Sequence, residues 1–181
     1  MIDKRDSKKI VKHIKDTGGD AQIYISDDGR GLDAIININN VLLARISARD
    51  AQTIKEADYK RPVIHMINVK YDHFEDEFNK VIEMNNMAGV VNWFNFKYTY
   101  PHNGAVLQLG NIDGGLIAVD DRYKVIAESL SMGHKIRGGG PGKPIFYIGF
   151  DDKVQTVIAP CELNDIPAFN GEWMLFKNCM V

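Results

Sequence analysis

The chain has 181 residues, 45% of them hydrophobic, and its 22 Lys and Arg against 24 Asp and Glu give a formal net charge of −2. That is enough apolar surface for one domain or two small ones, and the near-neutral balance exerts no global pull on nucleic acid or on basic partners, so any such pull is local. Apolar runs such as Val41 to Ala44 fall far short of the roughly 20 residues of a membrane span, and Cys161 and Cys179 form neither a metal-ligand spacing nor a disulfide framework, so a reducing, cytoplasmic setting without membrane contact is expected.

The local basic region comes first. Ser7 is placed to cap a helix over Lys8 to Asp16 that Thr17-Gly18-Gly19 ends. At helical spacing Ile10, Val11 and Ile14 share one face. Lys8, Lys12 and Lys15 form a stripe roughly opposite, extended by Lys4 and Arg5 just upstream. A lysine stripe is ordinarily a solvated face; the functional alternative is a surface that meets phosphate or an acidic partner. No aromatic residue is interleaved with these lysines, which argues against a base-stacking platform and favours backbone contact without sequence reading.

Ala21 to Ser26, Asp33 to Ile38 and Val41 to Ser47 are rich in Ile and Val and bounded by Asp, Asn or Gly, the pattern of an antiparallel meander. Ala48 to Pro62 is charged without sustained apolar periodicity and reads as a connector with at most one helical turn. A second unit opens with a strand over His65 to Lys70. Asp72 followed by Glu75 resembles a capping box, and Phe74, Phe78, Val81 and Ile82 recur at helical spacing up to Asn85-Asn86. Val90 to Tyr100 alternates as a half-buried strand, Pro101-His102-Asn103-Gly104 is a hairpin turn, and Ala105 to Leu109 returns. The expected organisation is a first unit over 1–50, a connector over 51–62, a second unit over 63–163, and an apolar tail over 164–181.

Gly114 to Leu163 carries a strand at Leu116 to Val119, a helix entered through Asp120 and Asp121, a glycine-rich turn, and strands at Pro144 to Phe150 and Lys153 to Ala159. Lys8 to Ile14 followed by Gln22 to Asp28 parallels Tyr123 to Ser129 followed by Ile145 to Asp152, a short internal similarity that points to a repeated unit.

Chemical candidates are few. Gly138-Gly139-Gly140-Pro141-Gly142-Lys143 invites a phosphate-loop reading, but the spacing is one residue short, Pro144 stands where Ser or Thr would meet magnesium, and a strand follows instead of a helix. His73 beside Asp72 and Glu75 is the one His–carboxylate cluster, and a capped helix start explains it equally. The pairs Asp27-Asp28, Asp120-Asp121 and Asp151-Asp152 could support metal-assisted phosphodiester chemistry, although Asp is expected at strand turns for local hydrogen bonding. No serine or cysteine sits in a nucleophile context, so neither a catalytic residue nor a cofactor is expected.

The run GGLIAVDDRYKVIAESLSM (Gly114 to Met132), then PIFYIGFDDKVQTVIAPCEL (Pro144 to Leu163), resembles the last subdomain of bacterial DNA polymerase sliding clamps, with Ile158-Ala159-Pro160-Cys161-Glu162-Leu163 as its Ile-x-Pro-x-x-Leu-like close. MINVKYDHFEDEFNKVIEMNN (Met66 to Asn86) is similar to the strand and helix that begin a clamp domain, and NIDGGLIAVDD (Asn111 to Asp121) to its later strands. The resemblance implies an α+β fold of repeated βαβββ clamp-like subdomains, antiparallel sheets with helices on one face, and helices that line a basic pore around duplex DNA. The chain departs from that family in four respects. It is long enough for about one and a half clamp domains where bacterial clamps have three, its first unit lacks a strand before the helix, its tail from Asn164 to Val181 continues past the expected end, and its second helix is acidic. A ring would therefore require several copies of the chain.

Two function classes follow, with a small metal-dependent enzyme built on the acidic pairs as a third. In the first, the chain is a clamp-like replication accessory of the kind a phage or mobile element carries, a homo-oligomer tethering a replication or repair protein to duplex DNA. Lys4, Arg5, Lys8, Lys12 and Lys15 contact phosphates, and Lys124, Lys135 and Arg137 are further candidates. In the second, it is a non-catalytic module that binds a replication or defence protein through Trp173, Met174, Leu175 and Phe176 and the glycine loop.

Overall fold

The structure is a computed structural model that describes residues 1–26, 33–70, 78–85, 87–99, 104–113, 115–131 and 135–161. Helix α1 covers Lys4–Asp16. Its cap is Asp3, whose carboxylate accepts from the backbone N–H groups of Arg5 and Asp6 at 2.7 and 2.8 Å. Ser7 is buried one turn later and its hydroxyl donates to the Lys4 carbonyl. The helix therefore starts earlier than expected from Ser7, and Lys4 and Arg5 belong to its first turn. Ile10 and Ile14 are fully buried and Val11 nearly so. At about 1.5–3 kcal/mol for each such side chain, this face holds the helix, whereas exposed lysine pairs contribute only about 0–1 kcal/mol.

Strands β1 (Ala21–Ser26), β2 (Asp33–Ile38) and β3 (Leu42–Ser47) form the expected antiparallel meander. The β2–β3 turn sets Asn39 and Asn40 at φ 54° and 57°, a conformation that Asn tolerates better than most residues. The expected connector is a ten-residue helix, α2 (Ala48–Ala57). Ser47 and Asp50 cap it reciprocally: the Ser47 hydroxyl accepts from the Asp50 N–H at 3.0 Å and donates to the Asp50 carboxylate at 2.8 Å. Ala51 and Ile54 are fully buried beneath it. The crossover through α2 brings β4 (Ile64–Val69) against β1 in parallel, an exception to the expected antiparallel pairing.

A helical segment, α3, covers residues 78–83. Strands β5 (Gly89–Thr99), β6 (Val106–Ile112) and β7 (Gly115–Asp120) make a second antiparallel meander. The β5–β6 register shifts between Trp93 and Lys97. Gln108, 4% exposed, fills that irregularity, its amide donating to the carbonyls of Phe94, Phe96 and Leu109. Gly110 is required beside it, because a Cβ there would lie 2.7 Å from the Trp93 ring and 2.8 Å from the Asn92 carbonyl. Helix α4 (Asp121–Leu130) is capped by Asp120. Then come β8 (Lys135–Gly138), β9 (Ile145–Ile148) and β10 (Val154–Ile158). Part of the expected glycine-rich turn is thus strand β8, and residues 139–144 make the β8–β9 connection.

The ten strands form one mostly antiparallel sheet in the order β4-β1-β2-β3-β10-β9-β8-β5-β6-β7, so the fold is α+β. Helices α1, α2 and α4 pack on one face, over Ile23, Ile36, Ile46, Tyr147 and Ile158. Phe78, Val81 and Ile82 of α3 pack on the other, with Ile35, Phe146 and Val157, so the helices are not confined to one face. The alternation Ile35/Ile36, Phe146/Tyr147 and Val157/Ile158 between these two clusters is the period-2 pleat of strands buried on both sides. The Cys161 N–H donates to the Ala118 carbonyl of β7 at 2.9 Å. Three residues from Ile158 reach at most about 11 Å, whereas five flat strand spacings from β10 to β7 would cover about 24 Å. The sheet is therefore curled, and the Tyr123, Ile126, Ala127 and Leu130 side chains of α4 fill the curl.

Candidate nucleic-acid interface

Lys4, Arg5, Lys8, Lys9 and Lys12 line one shallow depression on the outer face of α1. Lys4, Lys8 and Lys12 follow at four-residue intervals and span about 12 Å along the axis, with Arg5 and Lys9 as a second row. Lys9 reaches Asp6 at 3.1 Å and Lys12 reaches Asp16 at 2.7 Å, both in exposed pairs. Lys4, Arg5 and Lys8 are exposed and none of them makes a salt bridge among the described residues, although, beside the backbone N–H groups of Asp6 and Arg5, the Arg5 charge lies near enough to Asp3 to help lower its carboxyl pKa.

Lys15 is set apart from this group. Its ammonium lies 2.9 Å from Oδ1 of Asp58, whose side chain is fully buried, and it also donates to the Lys60 carbonyl. The other Asp58 oxygen accepts from the N–H groups of Val63 and Ile64, both at 2.8 Å. Burial pushes the Asp58 carboxyl pKa up, but Lys15 and the two N–H groups together outweigh burial and hold it below the ordinary carboxylate value. Lys15 thus fastens α1 to the turn between α2 and β4.

The remaining sequence-named cations are dispersed. Lys124 is largely covered, pairing with Glu128 at 2.7 Å and lying 5.9 Å from the Trp93 ring centroid. Lys135 pairs with Asp152 at 2.6 Å, and this ion pair holds the exposed Asp152 carboxyl below its usual range. Ile136 faces the α1 side opposite Tyr147, so its neighbours Lys135 and Arg137, opposite Ile148 and Phe146, project from the reverse face of the sheet. Trp173, Met174, Leu175 and Phe176 lie outside the described residues, as do His73 with its neighbours Asp72 and Glu75, and the pair Asp27-Asp28.

Two features emerge that periodicity did not reveal. Tyr59, 67% exposed at the end of α2, lines a cavity of about 190 Å³ together with Lys4, Ser7, Lys8, Thr53, Glu56 and Ala57. This cavity joins the basic depression at Lys4 and Lys8. The Lys60 ammonium is 5.7 Å from the Tyr59 ring centroid. An aromatic ring therefore does stand beside the lysines, supplied by the turn that follows α2. At the β2–β3 turn, Leu43, Val81, Pro144 and Val157 line a mostly apolar groove of about 220 Å³, to which Val41 and Leu42 of the α1-side cluster, Asn37 and Asn40 also contribute.

The two acidic pairs among the described residues have structural work. Asp120 caps α4 and holds the Arg122 guanidinium, which also donates to the Asp16 carbonyl at 2.7 Å. Asp121 pairs with Lys97 at 2.8 Å. Asp151 and Asp152 form the β9–β10 turn, with Asp152 at φ 57°. Gly140 and Gly142, at φ 129° and 70°, shape a connection between two strands. Among the described residues no group of three His, Cys, Asp or Glu side chains converges as a metal site. Burial, with Asp120 nearby, raises the pKa of the Cys161 thiol and keeps it in its unreactive form. No helix among the described residues is long and apolar enough to cross a membrane. Comparison with known proteins finds no family, no curated protein and no solved structure that matches this chain.

Proposed function

We propose that this chain is a clamp-like accessory protein that meets the backbone of duplex DNA through the outer face of α1 and carries a protein partner in the groove at its β2–β3 turn. The observation that carries this reading is the set Lys4, Arg5 and Lys8: exposed cations that make no salt bridge among the described residues, on a helix held by its opposite face. Lys9 and Lys12 reinforce them, since exposed ion pairs worth about 0–1 kcal/mol yield readily to phosphate. Lysine and arginine without Asn or Gln on this face suit phosphate contact rather than base reading.

The order α1-β1-β2-β3 recurs as α4-β8-β9-β10, and the last strands of the two sets pair antiparallel, Leu43 opposite Val157. We read these as two copies of a clamp-type unit, in keeping with the sequence resemblance. Oligomerisation would proceed through the sheet edge at β4, since the segment after β10 already bonds to β7 through Cys161. The apolar groove is the proposed seat of the tethered partner, because none of its lining residues is a cation of α1.

A second reading, a protein-binding module without DNA, is favoured by one observation: α4 exposes Glu128 and Ser129 rather than cations. Fluorescence anisotropy of a labelled mixed-sequence duplex separates the two. Replacing Lys4, Arg5 and Lys8 together by Glu should abolish duplex binding at physiological salt, leaving only weak low-salt binding, at unchanged thermal stability. Retained affinity in that variant would overturn the DNA reading and leave the module.

A further inference from the structure

We propose that the cavity between α1 and α2 takes one unpaired nucleotide of a single strand, its base on the Tyr59 ring and its phosphates on Lys4 and Lys8. The proposal rests on the reading of the α1 face as a nucleic-acid surface and adds a second ligand form to it. An exposed tyrosine ring is an apolar surface with a polar tip, and nothing in folding requires 67% of Tyr59 to remain in water. The ring occupies one wall of a cavity of about 190 Å³, room for a single planar base, and Ala57 adds an apolar patch. Lys4 and Lys8 border both this cavity and the basic depression, so phosphates arriving along α1 lead into it. Lys60, near the ring, adds a further cation.

Glu56, the one carboxylate on the cavity wall, accepts from the Gln52 amide at 3.1 Å and lies on α2, so the phosphates fall on the α1 side. A base stacked within a duplex presents no free face to such a ring, whereas an unpaired base does. Stacking on aromatic side chains is tolerant of sequence, because every base has a π face. The site therefore distinguishes strandedness, as at a frayed end or a single-strand overhang, without distinguishing sequence.

The test is anisotropy with two labelled probes, a mixed-sequence single strand and the matching duplex, against the full chain and its Tyr59→Ala and Tyr59→Trp variants. Tyr59→Ala should weaken single-strand binding by about five- to 150-fold, the effect of losing one stacked base. Duplex binding should change less than about twofold, and Tyr59→Trp should restore the single-strand affinity. Unchanged single-strand affinity in Tyr59→Ala, or an equal loss on both probes, would overturn the proposal. A wild-type chain that binds duplex but no single strand refutes the cavity assignment alone. One that binds the single strand through Tyr59 but no duplex refutes the duplex reading and leaves the cavity standing.

Discussion

Replacing Asp58 by Asn tests the physical separation of Lys15 from the other lysines of α1. In the native chain the Asp58 side chain is buried, faces the Lys15 ammonium at 2.9 Å, and receives two backbone N–H donors at 2.8 Å. Asn keeps the shape but loses the charge, and its NH₂ group cannot accept. Hydrogen bonds to a charged group contribute about 1.5–3 kcal/mol each without adding fully, and breaking a buried pair costs about 3–5 kcal/mol. Because Lys15 keeps part of its solvation, a loss of about 2–4 kcal/mol is expected. At about 2–4 °C per kcal/mol for a chain of this size, the melting temperature should fall by about 4–16 °C. The sign with pH follows from linkage. The folded pKa of Asp58 lies below the unfolded value, so its stabilisation is present above the ordinary carboxylate range near pH 4 and disappears as pH falls through the folded pKa. Urea unfolding of both proteins at neutral and acid pH measures it, and the gap between them should narrow on acidification. A difference below about 0.5 kcal/mol at neutral pH, the range of an ordinary surface change, or a gap that persists undiminished in acid, would refute the reasoning.

Gln108→Leu removes the three bonds from its buried amide to the carbonyls of Phe94, Phe96 and Leu109 and should cost about 1–3 kcal/mol, read as a lower urea midpoint with unchanged m-value. Gly110→Ala drives a Cβ against Trp93 and the Asn92 carbonyl and should cost about 1–3 kcal/mol, with a shift in tryptophan emission as the ring is displaced. Lys135→Glu and Arg137→Glu, on the reverse face, should leave duplex affinity within about twofold at moderate salt, measured by anisotropy.

Much of the sheet was legible because its strands carry Ile and Val in short runs closed by Asp, Asn or Gly, and Asp33–Ile38 agrees with its expected bounds. Helix α2 was legible in principle: Ser47 with Asp50 three residues on is a capping pattern, and Ala51 and Ile54 follow at helical spacing. Its charged surface residues hid that signal. Strand β8 has only four residues, one of them glycine, and is a strand because β5 and β9 flank it. The sequence similarity set Gln22–Ser26 beside Ile145–Ile148, yet β1 is the first strand after its helix and β9 the second. The correspondence lies in the order of elements rather than in those segments. The basic face was visible from helical periodicity alone. That Lys15 leaves it for Asp58, and that Tyr59 joins it, depends on how α2 packs against α1, which no local pattern encodes.

The central claim is that α1 meets duplex backbone through a small, countable set of cations. Duplex affinity measured from low to moderate salt counts them, because each neutralised phosphate contributes about −0.9 to the slope of log K against log salt. With Lys4, Arg5, Lys8, Lys9 and Lys12 engaged by one copy of the chain, a slope of about −4 to −5 is expected for the wild type, falling toward about −2 when Lys4, Arg5 and Lys8 are replaced by Glu. No measurable affinity at low salt, or a wild-type slope that the triple replacement leaves unchanged, would contradict it.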